Sequence, residues 1–159
     1  MRRTRPSVLI ILAVLGVAVG WLLETALAAM GQPIIVPPAT LSVALVGIGA
    51  IVLAVGWPIR QVVRGIRKGP IDPFRAMRIL VLAKASSLSG ALIGGWAAGV
   101  LLYLASRPVL PPDTALLLVG SSAVAAVLLL SSGLVVEHWC RIPPSKDDEA
   151  GEPLGAHGE

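Results

Sequence analysis

Four apolar stretches take up most of this chain: Val8 to Met30, Ala39 to Ile59, Ile79 to Leu104 and Ala115 to Val136. Each is near the ~20 residues that carry a helix across about 30 Å of hydrocarbon. The loops and tails left over are too short to build a soluble domain. Function therefore belongs in the membrane or at its surface, and most ordinary enzyme folds are excluded. Composition agrees: of 159 residues 55% are hydrophobic and 14% charged, with a mean hydropathy of +0.84. The expected fold is all-α, a transmembrane four-helix bundle over residues 1–144. An acidic tail over 145–159, too poor in apolar surface to fold, is expected to be disordered.

The net charge of +4 and pI near 10 would point to nucleic acid in a soluble protein, but the placement of the charge decides otherwise. Arg2, Arg3 and Arg5 precede the first span; Arg60, Arg64, Arg67, Lys68, Arg75 and Arg78 lie between the second and third; Arg141 and Lys146 follow the fourth. On the other side stands Arg107 alone. The positive-inside rule then puts both termini and the basic loop in the cytoplasm, and the protein in the cell membrane as a multi-pass chain. Nucleic acid is set aside because the basic residues lack aromatic interleaving or a recognisable module. The single cysteine, Cys140, excludes an internal disulfide framework.

Met1 to Leu23 has the layout of a secretory signal, with Ala26-Leu27-Ala28 as a cleavage-like site. Its apolar run is longer than the usual ~7–15 residues and Glu24 stands before the alanines, so we expect an uncleaved first span. Gly16 and Gly20 form a G-x-x-x-G suited to helix packing. Gln32 to Pro38 is an uncharged outer turn, and Trp57-Pro58 marks the cytoplasmic end of span two. Beyond it Arg60, Arg64 and Arg67 share one helical face opposite Val62, Val63 and Ile66. With Lys68 they form a lipid-facing basic cluster, whose partner is the anionic headgroup layer.

The segment Gly69 to Leu104 carries the most information. Asp72-Pro73 reads as a helix start, the carboxylate capping free N–H groups and proline occupying the first turn. Lys84 is the only residue charged at neutral pH from Ile79 to Leu104, and its arc at about 100° per residue also holds Ser87, Ala91, Gly95, Ala98 and Gly99. That small-residue arc permits close helix approach, so Lys84 is expected to face protein, the alternative being a side chain that snorkels to the cytoplasmic headgroups. Glu24 lies too far away in depth to pair with it. Glu137, at the cytoplasmic end of span four, is within reach of a snorkelling lysine. Lys84 with Ser86, Ser87 or Ser89 does not make a convincing Ser-Lys dyad, since a nucleophile also needs an oxyanion site. His138 and Cys140 fall short of the three or four ligands of a metal centre. We expect no catalytic site and no cofactor.

Asp72-Pro73, Arg78, Ala83-Lys84-Ala85, Gly90-Ala91, Gly95-Trp96, Gly99, Cys140-Arg141 and Pro143 together resemble a family of small actinobacterial membrane proteins catalogued as a domain of unknown function. The resemblance covers nearly the whole chain and is most specific from Ala83 to Gly99. It implies a gene neighbourhood beside folate biosynthesis and brings no established activity. That family often has paired cysteines after the last span; here Trp139 takes the first place, which counts against a dithiol. Lys84, Asp72, Arg78, Gly95, Gly99 and Glu137 are the candidate functional or structural residues. The favoured role is a helix-packing or partner-binding module, whose partner is a membrane protein or a second copy. A small transporter, or transporter subunit, for an anionic solute is the alternative, and a membrane-embedded enzyme the third.

Overall fold

The computed structural model describes residues 6–63, 73–107 and 112–139. Four helices run through them: α1 (Pro6–Ala29), α2 (Ala39–Val63), α3 (Pro73–Ala105) and α4 (Asp113–Trp139). All four are long and apolar enough to cross a membrane, and their bounds fall within a few residues of the expected spans except at two ends. Helix α2 continues through Pro58 to Val63. Helix α3 begins at Pro73 and runs 33 residues, about 50 Å and longer than the hydrocarbon. Proline at its first position gives up an N–H that no carbonyl inside the helix would have used. Asp72, Arg64, Arg67, Lys68, Cys140 and the acidic tail lie outside the described residues.

Helix α1 stops in a Schellman turn. Gly31, at φ 70°, donates to Ala28 O while Gln32 donates to Leu27 O, and glycine takes that left-handed backbone without a Cβ clash. The chain then returns along the helix end, where the Ile35 N–H donates to Glu24 Oε1 at 3.2 Å. Consecutive helices run in opposite directions. One end of the molecule therefore holds the end of α2 and the start of α3; we call it the basic end and the opposite one the far end.

The four helices do not close into a ring. Helix α3 is central, with α1 on one side and α4 on the other, and α2 lies along α4 with a minor contact to α3. Among the four described helices, α1 packs on α3 alone. The core is made of alanine, valine, leucine and isoleucine: Ala97, Val100, Leu104 and Val119 in one cluster, Val52, Ile79, Ala83 and Val136 in another, and Leu45, Ala125, Ala126 and Leu129 in a third. Many other apolar side chains, such as Ile10, Leu22, Leu117 and Val124, point outward. Lipid solvates these as well as protein does, so the close contacts fall to residues that let backbones approach.

Candidate functional site

Two parallel helix pairs frame the interior. Helices α1 and α3 rise together with Ala13 opposite Gly95 and Val17 and Trp21 opposite Gly99. A Cβ at Gly16 would lie 2.5 Å from the Leu92 carbonyl oxygen, and one at Gly20 2.5 Å from that of Trp96. One at Gly95 or Gly99 would run into the carbonyl oxygen of Ala13 or Val17. This seam is backbone against backbone, and Gly95 and Gly99 are buried in it, as the small-residue arc led us to expect. Trp21 closes it at the far end, set edge-on to Tyr103 with ring centroids 6.0 Å apart. Arg107 lies 4.8 Å over the Tyr103 ring and donates to its hydroxyl.

Helices α2 and α4 also run together, from the Ser42–Ser121 hydroxyl pair at 3.1 Å to Trp57 and Trp139, whose rings meet edge-on at 6.0 Å. Gly49 and Gly56 sit in this seam, but they face side chains, Ser132 and Val136. Arg60 caps it, its guanidinium carbon 5.2 Å from the Trp57 centroid and 4.8 Å from that of Trp139. Each such cation–π contact contributes about 0.5–2 kcal/mol. Arg60, the described member of the cluster read from sequence as facing anionic headgroups, is half-buried, and two indoles hold it.

For Lys84 the expectation of a protein-facing side chain is corrected. Ser87, Ala91, Gly95 and Gly99 on its arc are buried, but Lys84 and Ala98 are exposed. Different helices cover different parts of the arc: Ser87 meets Gly133 of α4, whereas Gly95 and Gly99 meet α1. Carried down the helix, the Ala13–Gly95 register brings Pro6 level with Leu88, about one turn above Lys84. The described part of α1 ends before it reaches the lysine. Ser87 Oγ donates to the Lys84 carbonyl at 2.9 Å and Ser86 Oγ to Leu82 O at 2.9 Å, back-bonds along the helix rather than contacts with the ammonium. Arg78 is exposed near the start of α3, and Glu137 is half-buried in the last turns of α4. Among the described residues no three His, Cys, Asp or Glu side chains gather.

Sequence reasoning passed over Glu24, which is 1% exposed. The signal was present: Gly16, Gly20 and Glu24 are spaced by four, and they are the buried residues of α1. The glycine face continues into a carboxyl group. An ionisable residue inside a span costs a few kcal/mol unless it is paired or neutralised, which makes such positions functional candidates by default.

A groove runs between α2 and α4 in the far-end half, about 650 Å³ in volume and bordered by Ser42, Val43, Val46, Leu117, Gly120 and Val124. A smaller one, about 270 Å³, continues it toward the basic end past Ala50, Leu53, Leu128 and Ser131.

No curated protein and no solved structure matches the chain. A family model described as protein of unknown function (DUF3180) matches residues 9–144, from the first turn of α1 to just past α4. With four membrane-length helices inside that match, this integral membrane protein belongs to the DUF3180 family of proteins of unknown function.

Proposed function

We propose that the chain is a helix-packing or partner-binding module of the cell membrane, with both termini and the α2–α3 connection cytoplasmic. The observation that carries this reading is the α2/α4 groove. Its walls are apolar, and its hydroxyls are spent internally, Ser42 on Ser121 and Ser121 on Leu118 O. It offers shape but neither charge nor a free hydrogen-bonding group, which suits another helix better than a polar solute. Gly120 on its border has open space where a side chain would stand. Glycine in a helix costs about 1 kcal/mol relative to alanine, and close approach by a partner helix gives that cost a purpose.

Gly120→Leu fills the groove without touching the seams. It should unfold in detergent like wild type yet lose the membrane protein, or second copy, that cross-links to wild type in native membranes. Undiminished recovery by Gly120→Leu would count against the groove. Reporter fusions test the orientation: one after Lys68 should read cytoplasmic and one at Pro111 external.

The second reading, a small transporter or transporter subunit for an anionic solute, draws support from Glu24, a buried carboxyl of the kind that carries a coupling proton. Proteoliposome flux of an anionic solute that falls in Glu24→Gln would favour it over the packing module.

A further inference from the structure

The cluster of Trp57, Arg60 and Trp139 is built in a way that ordinary interfacial anchoring does not require. Tryptophan at headgroup depth is common. Here two indoles from different helices stand at 79° to one another with a guanidinium over both rings. Among the described residues these contacts satisfy the charge of Arg60 but not its hydrogen bonds. An indole has one donor N–H and no acceptor, while a guanidinium has five N–H donors and no acceptor. The cluster therefore presents only donors and positive charge. Its place is fixed by helix length: Arg60 stands about 30 Å along α2 from Ala39, where hydrocarbon gives way to headgroups.

We propose that Trp57, Arg60 and Trp139 form a binding site for the phosphodiester of an anionic phospholipid headgroup. The planar fork of Arg60 matches two phosphate oxygens bidentately. Stacking on the rings fixes a side chain that would otherwise lose several rotamers on binding, so less freedom is lost when the lipid arrives. A choline headgroup fits less well, because its cation needs an aromatic face and Arg60 already lies over those at the site. The far end supplies a built-in control. Arg107 rests on Tyr103 in the same fashion but donates to the phenol oxygen, so part of its donor set is satisfied within the protein. The site stands whether or not the α2/α4 groove takes a partner.

The test is thermal unfolding of the purified full chain in detergent, titrated with dioleoyl-phosphatidylglycerol, dioleoyl-phosphatidylcholine or inorganic phosphate. At about a hundredfold excess over its Kd, phosphatidylglycerol should raise Tm by on the order of 5 °C, with the other two leaving it unchanged. Arg60→Gln should abolish the rise, Arg107→Gln should keep it, and Arg60→Lys, with charge but no fork, should retain less than half. Native mass spectrometry of the same variants counts bound lipid directly, so a variant with a lowered baseline Tm still gives an answer. A wild-type rise in Arg60→Gln, or an equal rise with phosphatidylcholine, would overturn the site. An equal rise with inorganic phosphate would overturn its assignment to a lipid.

Discussion

The α1/α3 and α2/α4 pairs solve the same problem differently. Both are parallel, and both carry toward one end an edge-on aromatic pair with an arginine over it: Trp21, Tyr103 and Arg107 toward the far end, Trp57, Trp139 and Arg60 toward the basic end. A cation in or just past the last turn also suits the negative end of the helix dipole. Between the clamps the seams diverge. In α1/α3 the glycines meet backbone, which cannot move aside, whereas in α2/α4 Gly49 and Gly56 meet side chains of Ser132 and Val136. Among the described residues the first seam holds a helix that packs on α3 alone, so its attachment rests largely on backbone proximity, with the Trp21–Tyr103 contact beside it. The second is backed by α3, which packs on α4 and touches α2, and it carries grooves lined by α2 and α4. One seam is made to stay shut, and the other has room to adapt.

The strongest way to break that contrast is Gly95→Leu. It forces four heavy atoms into the Ala13 carbonyl and should cost about 3 kcal/mol or more in reversible detergent unfolding, at the upper end for overpacking. Next is Glu24→Leu, which removes the acceptor for the Ile35 N–H. An expected loss of about 1–3 kcal/mol, with Glu24→Gln close to wild type because its amide oxygen still accepts, would place the effect in the hydrogen bond. Equal losses for both would assign it to charge. Gly56→Ala sharpens the comparison. Its new methyl meets only the side chain of Val136, so a cost of about 1 kcal/mol is expected. A loss matching Gly95→Leu would mean that the two seams are equally unyielding. Lys84→Met, at an exposed position, should be the smallest, within about 0.5 kcal/mol. A larger loss that disappears in the Glu137→Gln background would reveal a Lys84–Glu137 pair.

Helix number and extent were legible because hydropathy over ~20 residues is a strong signal in a chain this apolar. Gly95 and Gly99 were legible as contact residues for a related reason: in lipid, a face of small residues has few other uses. Which helix would cover which part of that face was not. Helical period places Ser87 and Gly95 on one arc, but only the packing order shows that α4 takes Ser87 and α1 takes Gly95, leaving Lys84 uncovered. The aromatic clamps were hidden because Trp57 and Trp139 are far apart in sequence, and each alone reads as an interfacial anchor. Glu24 was within reach of sequence reasoning, since it continues the Gly16, Gly20 spacing, but depth alone drew attention elsewhere.

A single methyl group tests the central claim, that α1 is held to α3 by glycines against backbone. Gly95→Ala and Gly47→Ala are the same chemical change in two spans. At Gly95 the new Cβ meets the Ala13 backbone, and at Gly47 it meets open space. Measured by unfolding under identical detergent conditions, Gly95→Ala should lose at least about 1 kcal/mol, while Gly47→Ala should match or exceed wild type by up to about 1 kcal/mol through helix propensity. Equal stability of the two variants would contradict the seam and with it the account of how α1 is attached.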